Sequence, residues 1–213
     1  MAYFDTTGGA SAYQRRERSS LTGVWNAQRY PYETVVTVPS VDYAITLADA
    51  KSFLRVSHNQ DDNYIELLIA GVTEEVERYI GVDTFIKTRQ SFWSRYNGSV
   101  HLPYGPHGTI SSVVAQDIEG NQTTLTLGTD YYVEGINQKY LQITNGVGPY
   151  LFVTYESGYV AGSCPAAIRG AMLQEISLQY KNRNDPNTPI RTVVNGLTVE
   201  AMSLLQSYIR YYV

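Results

Sequence analysis

Between Asp62 and Gly81 the apolar residues return every three or four positions; from Thr84 onward they return every two. That change of period constrains the fold more than anything else in the chain. One segment must bury a stripe of a helix, and the next must bury one face of a sheet. Ile65, Leu68, Ile69, Val72, Val76, Tyr79 and Ile80 fall on one stripe at about 100° per residue, which predicts an amphipathic helix over residues 62–80. Asp61 or Asp62 is placed to cap it, and Gly81 stops it in the left-handed position that favours glycine. From Thr84 to Gly158, short alternating runs at 85–94, 100–102, 110–114, 123–127, 131–133, 140–143 and 151–155 are separated by turns such as Glu119-Gly120-Asn121 and Asn145-Gly146. They predict an antiparallel β-region, either a sandwich or an open barrel.

Helices flank this region. Thr46 and Asp49 have the spacing of a capping box, with Ile45 and Ala50 as the apolar staple, so a helix is expected over 46–56. It should bury Leu47 and Phe53 or Leu54. Pro165 suits a first helical turn, where its missing N–H is an orphan in any case. Ile168, Met172, Ile176 and Tyr180 then recur every four residues, predicting a helix over 165–182. Thr198 can cap a last helix with Ala201, Leu204, Leu205 and Ile209 on its apolar side. Residues 1–20 carry no apolar period, and Thr34–Val38 can pair as an edge strand. The expected organisation is therefore an extended N-terminal arm over 1–40, a body over 41–185 and a C-terminal tail with a short helix over 186–213. The fold class is α+β, a small helical bundle with an inserted antiparallel β-domain.

Function is first narrowed by exclusion. A chain of 213 residues buries about 70% of its extended surface and needs no staples to fold. Its one cysteine, Cys164, cannot form an internal bridge, which fits a reducing compartment. The N-terminus lacks the apolar core of a signal peptide, and no run approaches the ~18 apolar residues of a spanning helix. A formal net charge of -4 is unlike that of a non-specific DNA coater. The 19 tyrosines against 5 Phe and 2 Trp favour interfaces, because tyrosine pairs an apolar body with a polar tip at low rotamer cost.

Catalytic patterns are missing. His101 and His107 have no third ligand nearby and read as two exposed loop histidines. His58 sits at a helix end, where it can bond the last carbonyls. Cys164 precedes a helix without a nucleophile's surroundings and reads as structural. Asp61-Asp62-Asn63 lacks the glycine and distal glutamate of a calcium loop. Glu66 and Glu77 flank the buried stripe while Glu74 lies opposite, so these carboxylates do not converge; Glu74 and Arg78 have the spacing of a weak surface pair. No phosphate-binding glycine loop occurs. Neither an active site nor a cofactor or metal is expected. Two features stay open. Leu67, Ala70 and Gly71 form either an ordinary exposed helix face or a seat for a second helix packing over Gly71. The cluster Arg15-Arg16-Glu17-Arg18 is either solvated or placed to meet phosphate or an acidic groove.

The order of motifs resembles a known family. Ile45-Thr46-Leu47-Ala48-Asp49-Ala50-Lys51-Ser52-Phe53-Leu54-Arg55-Val56 opens it, followed by Asp61-Asp62 and a helix ending Val76-Glu77-Arg78-Tyr79-Ile80-Gly81. Next come Leu102-Pro103-Tyr104-Gly105-Pro106 and Tyr131-Tyr132-Val133. Val153-Thr154-Tyr155-Glu156-Ser157-Gly158-Tyr159, Cys164-Pro165-Ala166-Ala167-Ile168 and Gln179-Tyr180-Lys181-Asn182-Arg183 close it. Over residues 43–184 this is similar to the head–tail connector (adaptor, or head-completion) proteins of tailed bacteriophages. The arm and the tail depart from the shorter members.

The resemblance implies a non-enzymatic virion protein at the head–tail interface, assembled in the host cytoplasm. Its subunits would form a dodecameric ring beneath the portal protein and present a surface to neck or tail proteins. The ring would continue the channel through which double-stranded DNA passes without sequence-specific binding, and no membrane is involved. On that expectation Leu67, Ala70 and Gly71 belong to the subunit interface, and Glu66, Glu74 and Glu77 face the channel. Arg15, Arg16, Arg18, Tyr208, Arg210, Tyr211 and Tyr212 serve arm and tail docking. The competing readings are another neck or tail subunit (a stopper or tail terminator), a tyrosine-rich carbohydrate-binding module using Tyr104, and a hydrolase relying on His101 or His107.

Overall fold

A computed structural model describes residues 29–96, 98–183, 193–194 and 196–210. The chain enters along strand β1 (Glu33–Val38), which pairs antiparallel with β2 (Lys87–Trp93), Thr34 opposite Ser91 and Val36 opposite Arg89. Helix α1 (Leu47–Leu54) starts at the expected capping box. The Thr46 hydroxyl accepts from the Asp49 N–H at 3.1 Å, and the Asp49 carboxylate accepts from the Thr46 N–H at 3.2 Å. Ile45 and Ala50 are both buried, while Phe53 is exposed and Leu54 half-buried.

Helix α2 (Asp62–Ile80) buries Ile65, Leu68, Ile69, Val72, Val76 and Ile80, the stripe read from the period, and ends at Gly81 with φ 66°. Its start differs from expectation. Asp61 occupies the N-cap but its side chain makes no cap hydrogen bond. The carboxylate instead accepts from the Tyr180 hydroxyl and, at 3.0 Å, from Arg183 Nη1. A tyrosine and a guanidinium from the far end of another helix outcompete the helix's own amides.

The β-region follows as β3 (Ser99–His101), β4 (His107–Gln116), β5 (Gln122–Thr124), β6 (Tyr131–Glu134), β7 (Tyr140–Ile143) and β8 (Tyr150–Ser157). Two antiparallel sheets result, one ordered β1-β2-β8-β4-β5 and one ordered β3-β7-β6. Between them lies a core of Trp93, Val100, Val113, Leu141, Leu151, Val153 and Tyr155. Of the two architectures the sequence left open, it is the sandwich. Alternation along β8 is complete, with Leu151, Val153, Tyr155 and Ser157 inward.

Helix α3 (Ala166–Asn182) has Pro165 at its N-cap, one position ahead of the first turn, and packs across α2. A two-strand ladder, β9 (Val193–Val194) with β10 (Leu197–Thr198), leads into α4 (Val199–Leu205) and a 3₁₀ turn over Gln206–Tyr208. Thr198 caps α4 through the Ala201 N–H at 3.3 Å. Leu197, Ala201 and Leu205 complete a second core with α1, α2 and α3, while Leu204, expected on the apolar side, is exposed. Glu175 of α3, itself buried, accepts from the Thr198 N–H and hydroxyl and so fastens this C-terminal segment to the bundle.

Candidate functional site

Two surfaces bear on what the molecule can do: the charged junction between bundle and sandwich, and the outward face of α2. The junction is built where α2 hands over to β2. Asp83 is fully buried and receives both Nε and Nη2 of Arg89 at 2.7 Å, a bidentate pair. The Ser157 hydroxyl at the end of β8 also donates to it. Glu77 accepts from the Thr84 N–H at 2.8 Å and the Thr84 hydroxyl at 2.9 Å, and Lys87 pairs with it. The Arg89 guanidinium lies 3.8 Å above the centre of the Tyr104 ring. Burial pushes the Glu77 carboxyl up, with Lys87 working against the shift. Burial opposes the charge of Arg89, but its bonds to Asp83 outweigh that and leave its pKa raised.

A hydroxyl relay runs alongside. Tyr155 donates to the Pro103 carbonyl at 3.1 Å, so Ser91 donates to Tyr155 at 3.0 Å and Thr34 to Ser91 at 2.7 Å. Charges at this depth hold only when paired and hydrogen-bonded. The arrangement therefore fixes how the sandwich sits on the helices. Sequence reading missed it, although Lys87 and Arg89 alternate onto the face that also carries Trp93, a sign of buried charge.

One expectation changes here. Glu77, assigned with Glu66 and Glu74 to a channel surface, is only 6% exposed and is consumed by Thr84 and Lys87. A carboxylate clamped inside the subunit is not open to a channel. Glu66 and Glu74 are exposed. So is the face beside them: Leu67 is 67% exposed, Ala70 is half-buried, and a Cβ added at Gly71 would meet nothing within 4 Å.

The remaining sequence candidates divide. Tyr208 is half-buried against the helical core of its own chain, and the Arg210 N–H donates to the Ile80 carbonyl at 2.8 Å, completing the end of α2. Arg15, Arg16, Arg18, Tyr211 and Tyr212 lie outside the described residues. His107 is buried rather than a loop histidine in water. Its Nδ1 accepts from the Lys139 N–H at 3.1 Å, which leaves Nε2 to donate to the Pro103 carbonyl at 2.9 Å. Burial pushes its pKa down. His101 packs edge-on between Tyr30 and Tyr140. Burial pushes the Cys164 thiol up to about 11, the opposite of an activated nucleophile. One face of the Tyr104 ring is covered by Arg89. On the outer face of the larger sheet, Phe92 stacks with Phe152 at 4.9 Å and Tyr150 at 6.1 Å, and Tyr32 meets it edge-on. Among the described residues no group of three His, Cys, Asp or Glu side chains is placed to hold a metal ion.

With this geometry in view, residues 44–147 match the family model of phage gp6-like head-tail connector proteins. Over that stretch the chain matches the head–tail connector family. Three solved structures share the fold. "Neck of empty GTA particle computed with C6 symmetry" aligns with a TM-score of 0.67 at 13% identity, over 85% of this chain and 97% of that one. "Virion of native gene transfer agent (GTA) particle" gives 0.66 at 13% identity, over 84% and 96%. "Neck of native GTA particle computed with C12 symmetry" gives 0.58 at 16% identity, over 85% and 96%. No curated protein matches the chain. At these identities the structural likeness speaks for the fold. It extends over bundle and sandwich together, beyond the end of the sequence match at residue 147.

Proposed function

We propose that the chain is a structural protein of the virion neck, a ring subunit that joins the portal vertex to downstream neck or tail proteins and continues the DNA channel. The observation that carries this reading is the likeness of nearly the whole chain to chains from particle necks, on top of the connector match over residues 44–147. Those necks were computed with six-fold and twelve-fold symmetry. A subunit repeated around such an axis needs two different complementary faces, because heterologous contacts close only as rings.

In this chain the outward face of α2 supplies one of them. Leu67 and Ala70 offer apolar area, and Gly71 lets a neighbouring backbone approach closely. Glu66 and Glu74 remain as the exposed carboxylates of the same helix and are the ones able to face passing DNA, repelling phosphate where lysines would bind it. The partners are further copies of the chain, the portal and the next neck or tail component, and no cofactor takes part. The protein acts in the virion at the head–tail interface after assembly in the host cytoplasm. Mass photometry of the purified chain with and without portal protein tests this. A ring-sized species that forms only with portal is expected, and a chain that stays monomeric in both samples overturns the ring.

A further inference from the structure

A groove of about 650 Å³ opens between the start of α1, the middle of α2 and the 160–164 loop. Its apolar lining is the buried Ile45 and Ile69, the half-buried Phe85 and the exposed Val160. Its rim is acidic, carrying Asp42, Asp49 and Glu66 against the single cation Arg169. Asp49 is already engaged, by the Thr46 cap and by Arg169 at 3.5 Å. Asp42 and Glu66 are exposed, and among the described residues neither carboxylate has a hydrogen bond or ion pair. The rim thus presents negative charge with nothing described to balance it.

We infer that this groove takes the chain's own segment Arg15-Arg16-Glu17-Arg18. Two arguments choose that occupant. The first is charge. Three carboxylates against one guanidinium leave the groove with a formal excess of two negatives, and three arginines against Glu17 give the segment an excess of two positives. Arginine stems also cover apolar surface while their heads stay at a polar rim. The second is reach. Arg29 is held at the Trp93 end of β2, its carbonyl accepting from the His101 N–H at 2.8 Å and from Trp93 Nε1 at 3.2 Å. Phe85, in the groove, is eight residues upstream of Trp93, at most roughly 29 Å away, while the eleven residues from Arg18 to Arg29 span roughly 36 Å. The intrachain route is open, and a tethered segment competes at high effective concentration.

Docking there covers the groove beside Glu66 and Leu67 in the free subunit. The inference concerns the isolated chain, so its failure would leave the neck reading standing. Trypsin cuts after arginine, which makes the segment its own probe. In the full-length chain at low salt, cutting after Arg15, Arg16 and Arg18 should run about tenfold slower than in a synthetic peptide of residues 1–28, because cleavage follows the undocked fraction. The doubly neutralised variant Asp42→Asn/Glu66→Gln, with circular dichroism confirming its fold, should restore the peptide's rate, as should ~1 M salt, which shortens the screening length to about 3 Å. Protection should not change with protein concentration. Cutting at the peptide's rate in the unaltered chain, protection that survives the double variant, or protection that grows with concentration and so places another copy in the groove, would each overturn the inference.

Discussion

Glu74 and Glu77 stand three residues apart on one helix and live in different molecules, physically speaking. Glu74 is exposed beside Leu67 and Gly71, where a Cβ added at Gly71 meets nothing within 4 Å among the described residues. Glu77 is clamped by Thr84 and Lys87 against the β-sandwich. One turn of α2 thus divides surface offered outward from surface spent on holding the subunit rigid. A ring component needs both, since an interface is only as well placed as the joint behind it. The identity of a residue does not decide which role it has; what packs over it does.

Breaking the inner side should cost most. Asp83→Asn leaves the Arg89 guanidinium buried without its carboxylate and should destabilise the chain by about 4 kcal/mol, read from urea unfolding. Glu77→Gln takes from Lys87 the nearer of its two carboxylates, leaving Asp83 at 3.6 Å, and should cost about 2 kcal/mol by the same measurement, whereas Glu74→Gln should stay within ~0.5 kcal/mol. Equal effects at 74 and 77 would erase the distinction between the two sides. On the outer side, Gly71→Trp should leave the melting curve of the isolated chain nearly unchanged and stop assembly with portal. Unchanged assembly would remove that face from the interface.

The sandwich adds a titrating contribution of its own. His107 has its folded pKa below the ordinary 6.5 because burial disfavours the charged ring. Between those two values the unfolded chain binds a proton that the folded chain refuses, so stability falls as pH drops through about 6.5. Thermal melts from about pH 7.5 to about 5.5 should show that slope, and His107→Gln should reduce it to the part that His101, also lowered by burial, contributes. The cap counts for less than the buried charges: Thr46→Ala should cost about 1 kcal/mol, as loss of a helix N-cap usually does.

Local signals were legible at most positions where a periodic or capping rule applied. Thr46 with Asp49, the α2 stripe through Ile80, the stop at Gly81, the β8 alternation and the Thr198 cap all read directly from neighbouring residues. Partners distant in sequence were not legible. Asp61 looked like a cap because the rule sees only its own helix, yet its carboxylate is bound by Tyr180 and Arg183 more than a hundred residues away. His107 looked like a loop histidine and Tyr104 like a free stacking ring, but the sandwich closes over one while Arg89 covers a face of the other. The junction escaped for the same reason: Asp83, Arg89 and Ser157 come from three separate segments. Among the described residues, tyrosine serves both internal hydrogen bonds, such as those of Tyr155 and Tyr180, and the half-open aromatic face of Tyr32 and Tyr150.

The central claim is a place in the particle, and imaging tests it most directly. Electron microscopy of purified virions, with the neck reconstructed under its rotational symmetry, should show this chain as a closed ring between portal and tail. The outward face of α2 should be buried against the next copy, and Glu77 should remain inside its own subunit. Density for the chain elsewhere in the particle, or single copies without a ring, would contradict the account.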